Sequence, residues 1–103
     1  MVYNSRLEMT YLIVTSQNDI SDDSTKALIT TLWGKDIAPK SIKNNPDFHM
    51  IDGREENSIG IDQIKELQEE MRYKPFQEKY QIAVILDAKK LTHQAQNAFL
   101  KTL

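Results

Sequence analysis

Residues 58–103 read SIGIDQIKELQEEMRYKPFQEKYQIAVILDAKKLTHQAQNAFLKTL. Within this stretch Ile61, Ile64, Leu67 and Met71 recur at helical spacing, while Lys65, Glu66, Glu69, Glu70 and Arg72 fall on the other side, so an amphipathic helix is expected over about 61–73. Lys74-Pro75 is expected to end it, because the residue before a proline is pushed out of the α region, and Gln77-Glu78-Lys79 then carries the chain across the surface. Ile82-Ala83-Val84-Ile85-Leu86 is short, continuously apolar and β-branched. Such a run favours a strand over 81–86 covered on both faces, as in a parallel sheet between helices. Asp87 follows at its carboxyl end. Thr92 then suits the cap of a last helix, about 92–103, in which Ala95, Ala98 and Phe99 share a face.

Working back from this stretch, Phe48-His49-Met50-Ile51 reads as a short strand, about 47–51, followed by the charged turn Asp52-Gly53-Arg54-Glu55-Glu56-Asn57. Thr10 to Thr15 is a further strand with an apolar centre. The helix after it, about 21–33, can be capped by Asp19 or Ser21 and buries Ala27, Leu28, Leu32 and Trp33, with Gly34 at its end. Lys35 to Asn45, polar and holding Pro39, reads as a connecting loop, and residues 1–9 carry no clear pattern. The order is strand, helix, strand, helix, strand, helix. Parallel strands need crossovers, so this alternation argues for an α/β sandwich.

The 103 residues carry a formal charge of −2 and a pI near 5.6, which suits one small domain with no global attraction to nucleic acid or an anionic membrane. There is no cysteine, so neither a disulfide frame nor a thiolate metal site is available. No segment has the apolar length of a membrane span, and the first residues lack a secretory pattern, so a cytoplasmic protein is the expectation.

The runs SIGIDQIKEL, KPFQEKYQIAVILDAKKLT and QAQNAFLKTL resemble the bacterial clamp-loader subunits of DNA polymerase III, most of all the delta-prime type, whose members carry phrases close to SIxIDxIRxL, KPYEGKYKV and AQNALLKTLEEP. The likeness covers nearly half of the chain without a gap and is weaker before residue 46, where Asn45-Pro46-Asp47-Phe48-His49 is similar to the family's HPDxH. The resemblance implies a three-layer, P-loop/AAA+ like sheet flanked by helices. It implies a single incomplete domain over 1–103, stopping before the family's later strands. It also implies a place in a ring with other clamp-loader subunits and, through them, contact with the sliding clamp and primed DNA.

A P-loop needs glycines and a lysine where the first strand hands over to its helix, so that bare amides wrap the phosphates. Here that handover reads Ser16-Gln17-Asn18-Asp19-Ile20-Ser21-Asp22-Asp23, without either glycine. On the resemblance, Asp22 stands at the phosphate-binding lysine and Asp23 at the magnesium-binding hydroxyl, and the carboxylates of both, with Asp19, crowd a helix start that would have to hold an anion. At the end of the 81–86 strand, Leu86 stands at the magnesium-binding acid and Asp87 at the water-activating one. Asp87 alone can serve as a relic, a turn-former or a tether for the next loop. Ser16, Ser21, Asp22, Asp23, Leu86 and Asp87 thus make a degenerate nucleotide site, with no catalytic residue and no cofactor expected. The alternatives are an ATP-binding subunit of the gamma/tau type and a free-standing interaction module.

No metal site is expected from His49 and His93, which lack acidic or thiol partners at ligand spacing. His49 reads as a strand residue at a sheet end and His93 as an exposed first-turn residue. Lys43, Lys89, Lys90 and Lys101 are candidates for phosphate contact and, more simply, a solvated face. Gln96, Asn97 and Lys101 match polar positions of the family's last phrase and are candidates for a subunit interface. In the family a later strand inserts between those at 10–15 and 81–86. A chain ending at Leu103 is therefore expected either to close these two strands side by side or to fill the gap from another copy, with residues 1–9 as a source. The second outcome is self-association through open strand edges.

Overall fold

A computed structural model describes the backbone of residues 2–4, 9–16, 23–53 and 56–102 and the side chains of 9–16, 24–53 and 56–98. Ser21 and Asp22, the Asp19 or Ser21 cap, the centre of the turn at 54–55, the side chain of Phe99 and the whole of Leu103 lie outside these residues. The strands are β1 (Val2–Asn4), β2 (Thr10–Val14), β3 (Phe48–Asp52) and β4 (Gln81–Leu86); the helices are α1 (Asp23–Trp33), α2 (Pro39–Lys43), α3 (Ile61–Glu70) and α4 (His93–Thr102).

The sheet runs β1-β2-β4-β3, and β2, β3 and β4 are mutually parallel, with Leu12 opposite Ala83 and His49 opposite Ala83 from the other side. β4 is therefore central, and all six of its residues are buried. Its side chains alternate: Ile82, Val84 and Leu86 join the core under α1 and α2, whereas Ala83 and Ile85 join the core under α3 and α4. A strand covered on both faces must be apolar at every position, as the continuous run predicted. Of the two ways to repair the gap, the first is seen. β2 and β4 pair directly along their whole length, and β1, from the patternless first residues, lies antiparallel against the outer edge of β2.

Three elements depart from the sequence reading. The stretch 35–45 is not a plain loop: Pro39 opens α2, where its missing N–H costs nothing, and the helix exists to bury Ile42. The inner face of α1 is carried by Thr25, Ile29 and Trp33, at intervals of four, with Leu28 and Leu32 flanking, whereas Ala27 is exposed. Gly34, at φ +71°, ends that helix in the left-handed conformation expected of it. α3 stops at Glu70, three residues short, because the segment after it is taken up by other partners before Pro75 is reached.

Those partners converge on Asp47, just ahead of β3. Its buried carboxylate accepts the amides of Phe76 (2.5 Å), Gln77 (2.7 Å) and Glu78 (2.6 Å), its own amide donates to Asn45 Oδ1 (2.8 Å), and its carbonyl accepts the amide of Ile82 (2.9 Å). Glu78, read as surface chain, turns its carboxylate inward to Lys35 Nζ (2.7 Å) and Asn45 Nδ2 (2.8 Å). Trp33 Nε1 donates to the Tyr80 carbonyl (3.0 Å), and the Tyr80 ring meets Tyr11 edge-on at 5.0 Å. The approach to β4 is thus fixed at each step, leaving Tyr73 and Phe76 as the large apolar side chains turned outward among the described residues.

On the opposite face, Ile59 forms a one-residue parallel bridge with Leu91: its amide donates to the Lys90 carbonyl (2.8 Å) and its carbonyl accepts from Thr92 (3.0 Å). α3 and α4 both start within two residues of this bridge, which sets them side by side. Gln63 Oε1 accepts from the Gly60 amide (2.9 Å) and Thr92 Oγ1 from the Ala95 amide (3.1 Å), so each helix start is capped.

Two predictions follow from this packing. Ile85→Ala removes a fully buried side chain from the central strand and is expected to destabilise the chain by about 2–5 kcal/mol in urea unfolding, whereas Phe76→Ala changes stability by less than about 0.5 kcal/mol. The Asp47 carboxyl is pushed up by burial, but the three amides and the nearby His49 outweigh this and hold it below its ordinary value of 3.8; Glu78 is pushed up by burial and held below 4.5 by Lys35, Asn45 and Gln77. The stability these lowered carboxyls contribute is complete above the ordinary values and is lost as pH falls through the lowered ones. Asp47→Asn is expected to cost about 1.5–3 kcal/mol at neutral pH and to flatten the acid limb of the stability profile.

Candidate functional site

The carboxyl ends of β2 and β4 meet at the corner where the sequence places its degenerate nucleotide site. Parallel pairing continues past the strands: the Thr15 amide donates to the Ile85 carbonyl (3.1 Å) and the Ala88 amide to the Thr15 carbonyl (3.0 Å). Ser16 is exposed immediately beyond. Asp23 is the first residue of α1, and Ser21 and Asp22 are not among the described residues.

Leu86 does not face this corner. Its side chain is fully buried in the core with Ile29 and Trp33 of α1. An apolar side chain there offers a cation no ligand. Asp87 is the residue that turns the chain. It adopts φ 54°, ψ 50°, a left-handed conformation that short polar side chains tolerate better than most, and it opens a tight 3₁₀ turn, Ala88–Lys90.

The Asp87 carboxylate, almost buried, lies 3.7 Å from Lys89 Nζ and 3.5 Å from Lys90 Nζ. Lys90 Nζ also donates to the carbonyls of Gly53 (2.7 Å) and Glu56 (2.8 Å). The Asp87 turn and the chain leaving β3 are thereby locked together. They approach so closely that an added Cβ at Gly53 would sit 2.6 Å from the Leu86 carbonyl oxygen. Of the roles open to Asp87, turn-forming and tethering are the two visible in its contacts. Lys90, a candidate for phosphate contact, is turned to these internal acceptors, and Lys89 remains exposed.

A groove of about 420 Å³ runs between β3 and α3, with Asp52, Glu56, Glu66 and Glu70 on its walls. Four carboxylates make this a poor receptacle for a phosphate. Among the described residues no three histidine or acidic side chains gather as a metal site; His93 is exposed, as read from sequence. His49 is half-buried, with Nε2 2.6 Å from Gln81 Oε1 and Nδ1 3.1 Å from Glu70 Oε2.

The candidate interface residues lie on α4. Gln96 and Asn97 are exposed, with Gln96 Nε2 reaching the Leu91 carbonyl at 3.4 Å, while the side chain of Lys101 is outside the described residues. On the inner side of α4, Ala95 is buried and Ala98 packs on the same core, its carbonyl accepting from Gln68 Nε2 of α3 (3.2 Å).

The sequence reading missed the polar anchors Asp47, Glu78 and Gln81, and the partners of His49. A local signal existed for the first: Asn45-Pro46-Asp47 is the kind of short polar run whose side chains bind nearby amides.

A family model described as DNA polymerase III, delta subunit, matches residues 1–103. Among solved structures, a DNA polymerase III gamma subunit-related protein from Thermotoga maritima is similar, with 28% sequence identity and a TM-score of 0.63 over 87% of this chain. The chain spans 29% of that neighbour's length. No curated protein matches. The expected α/β sheet flanked by helices agrees with this neighbour, and the match over residues 1–103 carries the assignment: the chain belongs to the DNA polymerase III delta subunit family.

Proposed function

We propose that this chain does the work of a non-catalytic clamp-loader subunit of the delta-prime type. It holds a place in a cytoplasmic ring of related ATPases that opens a sliding clamp and loads it on primed DNA. Its direct partners are other clamp-loader subunits, through faces that include Gln96, Asn97 and Lys101 of α4, and it binds no nucleotide itself.

The observation that carries this reading is Leu86. At the position where a nucleotide site needs a metal-binding acid, the chain has an apolar side chain buried under α1. The glycine-free run from Ser16 to Asp23 supports it independently. The competing reading, an ATP-binding subunit of the gamma/tau type, draws on the gamma subunit-related neighbour. That neighbour shares the fold, but the residues at the strand ends here favour the inert form.

Thermal unfolding separates the two. A nucleotide site filled at 100 times its Kd adds about 2.7 kcal/mol to the folded state, which for a domain of this size raises Tm by roughly 10 °C or more. At millimolar ATP with Mg²⁺ the expected shift is within about 1 °C of zero. Asp22→Lys leaves it there, because a lysine without the loop glycines has no cradle of amides to work with. A shift approaching that of a filled site would establish the gamma/tau reading instead. Stoichiometric co-purification with the other clamp-loader subunits is the matching positive result.

A further inference from the structure

We propose that the outer edge of β3 is a docking site for an extended, lysine- or arginine-rich segment of a partner protein, which adds to the sheet as a further strand. Among the described residues β3 stands at the end of the sheet, with β4 on one side and no strand on the other. The Asp47 carbonyl accepts from the Ile82 amide, and Phe48 is in register with Ile82. In a parallel ladder of that register the main chain of Asp47, His49 and Ile51 is turned to β4, so that of Phe48 and Met50 is turned away. The Phe48 amide is taken by the Asn45 carbonyl (3.1 Å), which leaves the Phe48 carbonyl and both main-chain groups of Met50 on the open edge.

The groove of about 420 Å³ between β3 and α3 lies along this edge. Met50 and Ile51 both line it, although Met50 packs on the core under α1 and α2 and Ile51 on the core under α3 and α4. Neighbouring residues whose side chains go to opposite faces of a sheet share a groove only at its rim. An occupant therefore meets main-chain groups together with side chains of both faces. Strand addition uses both: main-chain bonds give affinity, and alternate side chains give specificity.

Charge selects the occupant. Asp52, Glu56, Glu66 and Glu70 line the groove, and among the described residues no lysine, arginine or histidine does. Glu66 and Glu70 are exposed and four apart on α3, so they form one row with about 6 Å between their Cβ atoms. In an added strand every second side chain points the same way, at a spacing of about 6.7 Å. A segment with a cation at alternate positions matches that row. The aliphatic stems of its cations cover Ile51 and Leu67, and the side chains between them turn toward Met50. A second copy of this chain is a poor occupant, because pairing β3 with β3 brings two acidic rims together in a chain already carrying a charge of −2. The carboxylates that keep copies apart are the ones that select a basic strand.

The test is an NMR titration of the 103-residue chain with a synthetic, end-capped heptapeptide that alternates lysine and valine. Two further peptides serve as comparisons. One alternates glutamate and valine; the other is the lysine–valine peptide methylated at its peptide nitrogens, which keeps the charge and loses the donors. The lysine–valine peptide is expected to bind at low salt and to slow exchange of the Met50 amide several-fold. The amides of His49 and Ile51, turned to β4, are expected to stay nearly unchanged. Added salt weakens the binding, and neither comparison peptide protects Met50. Glu66→Gln together with Glu70→Gln alters two exposed side chains, leaves the fold intact and weakens binding by roughly threefold to tenfold, the effect of two exposed ion pairs. Absence of binding, or equal binding by the methylated peptide, overturns the proposal. So does protection of Met50 that grows with protein concentration without peptide, which would assign the edge to a second copy.

Discussion

Parallel pairing of β2 with β4 is the constraint on which the other parts depend. It makes β4 the central strand, with β2 on one side and β3 on the other, so that every residue from Gln81 to Leu86 is buried. It decides which core each side chain enters, and thus that Leu86 goes to α1 while Ile85 goes to α3 and α4. It also brings the two strand ends close enough for Thr15 and Ala88 to bond through their main chains. The corner at these strand ends is therefore bridged by backbone and flanked by a lysine-paired aspartate and an exposed serine, while Leu86 is turned away into the core.

A second layer of order comes from buried polar groups rather than from packing. Asp47 gathers three consecutive amides, Glu78 closes a link to Lys35 and Asn45, and Lys90 ties the chain after β3 to the turn after β4. Each of these long-range ties joins segments that are remote in sequence, and each satisfies groups whose burial would otherwise be costly. Among the described residues no buried side-chain nitrogen or oxygen lacks a partner. The consequence is that the stretch from Tyr73 to Tyr80, without regular secondary structure, is tied to the rest of the chain by these bonds while Phe76 faces water.

The elements that could be read from the sequence are those written in local periodicity. The all-apolar run at 82–86 announced a doubly covered parallel strand, and the spacing of Ile64 and Leu67 announced the inner face of α3. Phrases spread over the last third of the chain carried the family likeness, which the match over residues 1–103 supports at the level of DNA polymerase III subunits. What could not be read depends on distant partners. Nothing near Ala38 to Lys43 says that Ile42 has a core to enter, because that core is built by β3, β4 and α1. The early stop of α3 is caused by Gln81 and Asp47, neither within the helix. Residues 2–4 become a strand because β2 offers them an edge. At the candidate site, the absent glycines and the leucine at 86 were legible as residue types; that Leu86 is a core residue and Asp87 a left-handed turn was not, because both facts are set by the backbone at the strand end.

Amide exchange at the corner tests the account most directly. The Thr15 and Ala88 amides are donors in the two main-chain bonds that join the ends of β2 and β4. Both are predicted to exchange slowly and to keep the same rates when millimolar ATP and Mg²⁺ are added. Free exchange of either amide without nucleotide, or new protection of both on adding it, would contradict the account, because the corner would then be open and able to hold a phosphate.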